Sequence, residues 1–256
     1  MSATVDVNAF VGAYPFRSVP HPDPDALVRV MDRESIGTAW VASLPAAWHR
    51  DPNNGANEEL AKLIAPHKSR LRCVPTVRPD WPRWRDTLGW CRDQNAPAIR
   101  AYPTHWGLAA GDPQLTELAA EAKAHDLTLI LTVRFEDLRQ RHQVDIASDL
   151  SAAAVRELAR AETGARIVVT AAGRDMIEEV HWGLTPNERS LVWWDISWIW
   201  GPPEDHLAHL FRTVGSDRFV YGTGWPLRLA QTPRANLALL PDELRDNALA
   251  DPAAWS

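Results

Sequence analysis

Residues 98–133 read AIRAYPTHWGLAAGDPQLTELAAEAKAHDLTLILTV. Two apolar runs, 98–102 and 127–133, flank a segment, 112–124, whose apolar residues recur at helical spacing. The pattern predicts a strand, a helix entered through Asp112 and Pro113, and a second strand. A strand, crossover helix and strand in this order imply parallel pairing with a right-handed connection. The alternation continues in both directions. Further strands are predicted at 4–7, 38–43, 71–77, 166–170, 190–196 and 218–221. Helices are predicted at 25–36, 57–65, within 81–93, near 150–162, at 174–180, within 204–214 and near 234–250. Eight strand–helix units of about 32 residues match an α/β fold of the (β/α)8 TIM-barrel type, an eight-stranded parallel barrel. A doubly wound open sheet is the competing architecture, but no GxGxxG follows the first strand, which argues against its dinucleotide-binding form. No compositional break divides the chain, so residues 1–256 are read as one domain.

With 45% hydrophobic and 23% charged residues, the 256-residue chain lies within the range of ordinary globular proteins. A formal charge of −6 argues against nucleic acid and membrane surfaces as partners, since both usually require a basic face. The two cysteines, Cys73 and Cys91, are too few for a disulfide framework. No basic segment followed by an apolar run opens the sequence, and no stretch approaches the roughly 20 apolar residues of a membrane helix. A cytoplasmic location is the expectation.

In a barrel of this kind, chemistry collects where strands end and the following loops begin. Those positions hold Asn8 and Phe10, Ser43, Arg78, Arg100 and Tyr102, Thr132 and Arg134, Thr170, Asp195 and Ser197, and residues 222–225. Arg100 and Arg134 lie on adjacent strands with the same parity as Tyr102 and Thr132. They are expected to face one cavity and hold a small anionic substrate, because paired guanidinium groups bind carboxylate or phosphate bidentately. The plainer alternative is that each arginine pairs with a carboxylate on the rim. Cys73 reads as a small core residue.

Several segments together resemble the amidohydrolase-related proteins, the metal-dependent TIM-barrel hydrolases of the second amidohydrolase family. They are residues 5–12, 56–60, 71–75, 99–103, 194–197, 217–226 and 246–248, in the family's order and spacing. The resemblance implies a barrel with its site at the strand ends. The family's metal ligands do not carry over. Its paired histidines correspond to Asn8 and Phe10, its strand-five histidine to Thr132, its strand-six histidine to Thr170 or Ala171, and its strand-eight aspartate to Gly224. Zinc and similar ions need three or four nitrogen, oxygen or sulfur ligands, which this set does not supply. No cofactor is therefore expected. The chain looks closer to a subgroup beginning Asp-x-Asn-x-x-x-Gly-x-x-Pro-Phe-Arg, matched by Asp6, Asn8, Gly12, Pro15, Phe16 and Arg17.

For the reaction, Asp137 and His142 are the candidate acid–base pair, since a histidine beside a carboxylate suits proton transfer near neutral pH. Glu136 is a weaker candidate, and Asp195 a third proton carrier or an arginine partner. Asn8, Arg100, Tyr102, His105, Thr132, Arg134, Ser197 and Trp225 are the candidate substrate-binding residues. A solvated charged loop is the plain reading of 134–142, and packing on Trp106 the plain reading of His105. Trp198, Trp200 and Trp225 would line an apolar pocket or form a homodimer contact. The leading function is an amidohydrolase-like hydrolase, or a related acid–base enzyme such as a decarboxylase, that works without a metal. The alternative is a non-catalytic descendant binding a metabolite or partner. A new metal set of Asp195, His105 and His142 ranks last.

Overall fold

A computed structural model describes residues 4–53, 55–245 and 249–255. The strands are β1 (Thr4–Val11), β2 (Ile36–Ser43), β3 (Leu71–Cys73), β4 (Ala98–Ala101), β5 (Thr128–Thr132), β6 (Ile167–Thr170), β7 (Val192–Asp195) and β8 (Phe219–Val220). The helices are α1 (Pro24–Glu34), α2 (Ala56–Ile64), α3 (Trp84–Asp93), α4 (Pro113–Ala124), α5 (Ala152–Arg160), α6 (Arg174–Trp182), α7 (Pro186–Arg189), α8 (His206–Thr213), α9 (Gln231–Ala238) and α10 (Asp242–Arg245). Local chemistry accounts for many of the boundaries. Asp23 accepts the Ala26 N–H at 2.8 Å, and Asp112 accepts that of Gln114 at 2.9 Å, each with proline opening the helix behind it.

The strands pair in parallel throughout, in one sheet ordered β1-β2-β3 and another ordered β4-β5-β6-β7-β8. Parallel strands covered on both faces read as continuous apolar runs, and all five residues of β5 are buried. Backbone hydrogen bonds also cross the sheet edges. Beyond β3, the Pro75 carbonyl accepts from Arg100 N at 2.8 Å and Val77 N donates to the Arg100 carbonyl at 2.9 Å. Beyond β8, Val7 N donates to Tyr221 O at 3.0 Å, Gly224 N to Asn8 O at 2.8 Å and Phe10 N to Trp225 O at 2.9 Å. The regular ladder of β3 stops at Cys73, short of the expected 77, and Pro75 has no N–H to extend it.

Other differences from the sequence reading are local. The helix expected at 25–36 ends at Glu34 because Ser35 turns left-handed at φ 55°, releasing Ile36 into β2. The single final helix divides into α9 and α10 on either side of Pro241, and the expected continuation through 246–248 lies outside the described residues. The short α7, unanticipated, is held by a capping box between Thr185 and Glu188.

Buried apolar residues from all eight strands and their covering helices form one cluster. On β1, Val5, Val7, Ala9 and Val11 alternate with Asp6, Asn8 and Phe10, all but fully buried. The second set faces the interior shared with Arg100, Asp195 and Thr223. Close backbone approach makes room for it. A Cβ on Gly222 would stand 2.5 Å from Asp195 Oδ2, inside any tolerable contact. Gly222→Ala should therefore lower stability by about 1–3 kcal/mol, the usual cost of overpacking a filled interior. A urea midpoint equal to that of the wild type would contradict this packing.

Candidate functional site

The centre of the strand ends is a buried polar network. Arg100 is fully buried, and its Nη1 donates to Asn8 Oδ1 at 3.0 Å and to Thr132 Oγ1 at 2.9 Å. Its Nη2 donates to the Val7 carbonyl at 3.1 Å, and the guanidinium carbon lies 4.7 Å from the centre of the Phe10 ring. Asn8 Nδ2 donates to Asp195 Oδ2 at 2.7 Å, and Ala171 N donates to Asp195 Oδ1 at 2.8 Å. Asn8 Nδ2 also donates to Ser197 Oγ at 3.3 Å, which puts that hydroxyl beside Asp195. Thr170 Oγ1 joins the network at Thr132, 3.2 Å away. Asp6 accepts from Asn8 N and Thr223 N, each at 3.0 Å, and from Thr223 Oγ1 at 2.6 Å. Burial raises the carboxyl of Asp195, and raises that of Asp6 to about 6 against the pull of its hydrogen bonds.

Above this network lies a small cavity lined by Asn8, Thr132, Arg134, Phe135, Ser197, Trp198 and Arg228, among others. Its free volume, about 10 Å³, admits one water. The Trp198 ring is flanked by Arg228 at 4.0 Å and Arg134 at 5.5 Å. Arg134 is also paired with Asp149 at 2.9 Å, and Arg141 binds the same carboxylate. Beside the cavity the loops close in an aromatic cluster. Phe135 meets Phe10 at 5.7 Å, Trp48 at 4.9 Å and Tyr102 at 5.4 Å.

Two sequence expectations are corrected by this geometry. Arg100 does not form a ligand clamp with Arg134, because its Nη1 and Nη2 groups are turned to Asn8, Thr132 and Val7 below the cavity. Asp137 and His142 are not joined as a pair. Asp137 is held by Arg139, whose Nε lies 2.8 Å away and which draws its carboxyl down to about 2. His142 stacks on Phe16 at 5.7 Å and accepts from Val144 N. Glu136 is buried and paired with Arg17 at 2.5 Å.

Asn8, Thr132, Arg134 and Ser197 do line the cavity, and Asp195 lies directly beneath it. Tyr102 is buried in the aromatic cluster. Trp225 lines a separate surface groove with Pro20, His21 and Arg29. His105 packs against Trp48 at 5.2 Å and Phe135 at 5.4 Å, with Nε2 4.0 Å from Asp145 Oδ1. Burial first and Arg141 second lower it to about 4. Trp198 faces the cavity, whereas Trp200 is half exposed. Arg228, eight residues beyond the end of β8, was missed by the sequence reading, whose strand-end positions stop at residue 225.

The motif residues shared with the subgroup build this region. Besides Asp6 and Asn8, Gly12 takes φ 96°, where a Cβ would meet Pro45 at 2.8 Å. Phe16 and Arg17 fasten the 135–142 loop through His142 and Glu136. Among the described residues, no three His, Cys, Asp or Glu side chains converge on a point that could hold a metal ion. Of the positions implied by the resemblance, Asn8, Phe10 and Thr132 lie against the Arg100 guanidinium, and with Gly224 among them the set does not supply the ligands of a metal ion.

No family model and no curated protein matches the chain. Solved structures do match. A 2,6-dihydroxybenzoate decarboxylase from Rhizobium superposes with a TM-score of 0.72 at 15% identity, covering 99% of this chain and 98% of that one. A 5-carboxyvanillate decarboxylase from Sphingomonas paucimobilis gives 0.68 at 13% identity over 98% and 97% of the two chains. An amidohydrolase from Mycobacterium avium subsp. paratuberculosis gives 0.63 at 17% identity over 91% and 74%. The neighbours are thus amidohydrolases and related decarboxylases, and the likeness is one of fold. No helix among the described residues is long and apolar enough to cross a membrane.

Two of the perturbed groups, Asp6 and His105, have opposite effects on stability. Asp6 holds its proton more tightly when folded, so its contribution favours the fold at low pH and is lost as pH rises from about 4 to 6. His105 resists protonation when folded, so its contribution is lost as pH falls from about 6.5 to 4. Each displacement corresponds to about 3 kcal/mol at about 1.4 kcal/mol per pH unit, so the two nearly cancel. Urea midpoints between pH 4.5 and 6.5 should rise more steeply for Asp6→Asn than for wild type, and less steeply for His105→Phe. Parallel curves for all three proteins would refute these assignments.

Proposed function

We propose that the chain is a single amidohydrolase-like (β/α)8 barrel whose acid–base site works without a metal on a small carboxylate, by hydrolysis or decarboxylation. The backbone bonds from residues 75–77 to β4 and from residues 221–225 to β1 support closure of the two sheets into a barrel. The observation carrying the functional reading is the placement of Arg134, Trp198 and Arg228 over the cavity that reaches Asn8 and Ser197, with Asp195 beneath. The two guanidinium groups would hold a carboxylate while the indole stacks on a planar substrate. Asp195, its carboxyl raised by burial, would exchange a proton with the reacting group through the Ser197 hydroxyl. In hydrolysis a water in the cavity would bond to the acyl carbon as its proton passes through Ser197 to Asp195, and Asp195 would return that proton through Ser197 to the leaving oxygen or nitrogen as its bond to the acyl carbon breaks. In decarboxylation the same relay would run in reverse and protonate the carbon that loses CO2. Anything larger than water requires the rings around Phe135 to part.

The competing reading is a non-catalytic ligand-binding protein. It is favoured by the narrowness of the cavity and by the neutralisation of Arg134 by Asp149. Calorimetric titration with benzoate, hydroxybenzoates and short dicarboxylates, followed by turnover assays on those that bind, distinguishes the two. Arg134→Ala and Arg228→Ala should each weaken binding by about 10- to 100-fold, the worth of a charged hydrogen bond, while both proteins remain folded. Asp195→Asn should bind ligand and lose turnover. Undiminished affinity in both arginine variants would overturn the anion site, and binding without turnover in the wild type would establish the non-catalytic reading.

A further inference from the structure

Three of the positions that the family resemblance gives to metal ligands, Asn8, Phe10 and Thr132, lie against one side chain. Arg100 enters from β4. Its Nη1 reaches both Asn8 and Thr132, which stand at the strand-one and strand-five ligand positions, and its guanidinium lies over Phe10, the second strand-one position. Thr170, one of the two residues that could hold the strand-six position, hydrogen-bonds Thr132 one step further out. Asp195 is tied to the same centre through Asn8.

We propose that the guanidinium of Arg100 is the resident cation of this interior, standing beneath the cavity and against three of the positions, on β1 and β5, to which the resemblance gives metal ligands. The proposal rests on the metal-independent reading above and gives it a physical cause. A guanidinium is a permanent positive charge that arranges its neighbours through N–H donors in a fixed plane. Asn8 relays this order, accepting from Arg100 through Oδ1 and donating to Asp195 through Nδ2. Arg100 is therefore a positioning residue for Asp195. A divalent cation beside the guanidinium would add a second positive charge to a buried interior, so Arg100 opposes its entry.

The test restores donors and asks whether Arg100 blocks them. Asn8→His, Phe10→His and Thr132→His are combined, with Arg100 retained and with Arg100→Ala, and each protein is titrated with zinc after chelator treatment. The variant lacking Arg100 should bind one equivalent, and the variant retaining it should bind at least about 100-fold more weakly. Equal zinc affinity with and without Arg100 would overturn the placement while leaving the Arg134 and Arg228 site intact. Failure of that anion site would in turn leave the zinc result untouched.

A second measurement does not depend on the histidine variants folding. Arg100→Ala alone should be rescued by about 10 mM ethylguanidinium, read as a rise in melting temperature or refolding yield, and not by the same concentration of ethylammonium. Equal effects of the two cations would contradict a site shaped for a guanidinium.

Discussion

The interior at the strand ends depends on one buried charge. Arg100 carries its guanidinium to full burial and places its Nη donors on three acceptors from β1 and β5. Removing a buried charge from water costs several kcal/mol unless geometry and partners are close to ideal. The acceptors are correspondingly specific. A valine at Asn8 or Thr132 would keep the approximate volume and remove the bond. The placement of Asn8, Thr132 and Asp195 follows from holding this cation, and Gly222 follows from making room for Asp195.

Charge balance shapes the proton affinities around it. Two buried carboxyl groups, Asp6 and Asp195, lie near the Arg100 guanidinium, and at both desolvation outweighs the hydrogen bonds that favour the charged form. Asp6 is tied to Thr223 and serves to join β1 to the loop after β8. Asp195 lies beneath the cavity and is linked to it through Asn8 and Ser197. Their environments assign one carboxyl to architecture and leave the other for chemistry.

The alternation of strands and helices was legible because parallel strands buried on both faces must be apolar and their crossovers must be amphipathic. The capping box at Thr185 and Glu188 was equally visible, and it accounts for the helix that the strand–helix count passed over. The site was legible in part. Asn8, Thr132, Arg134, Asp195 and Ser197 could be found by strand parity, which gives direction but not depth. Arg100 therefore read as an anion clamp facing the cavity although it lies below it. Asp137 and His142 are near in sequence, but Arg139 is nearer to the carboxylate and takes it. Arg228 projects back from a loop whose path no periodicity encodes.

The central claim is that the Arg100 guanidinium is fixed, dry and hydrogen-bonded. Nitrogen-15 NMR of its side chain tests this most directly, with assignment by comparison to Arg100→Lys. The account predicts resolved, unequal Nη signals from restricted rotation, and side-chain protons that exchange with water orders of magnitude more slowly than those of the exposed Arg83. A single averaged Nη signal with rapid exchange would mean a mobile, solvated arginine, and the account of this interior would fail.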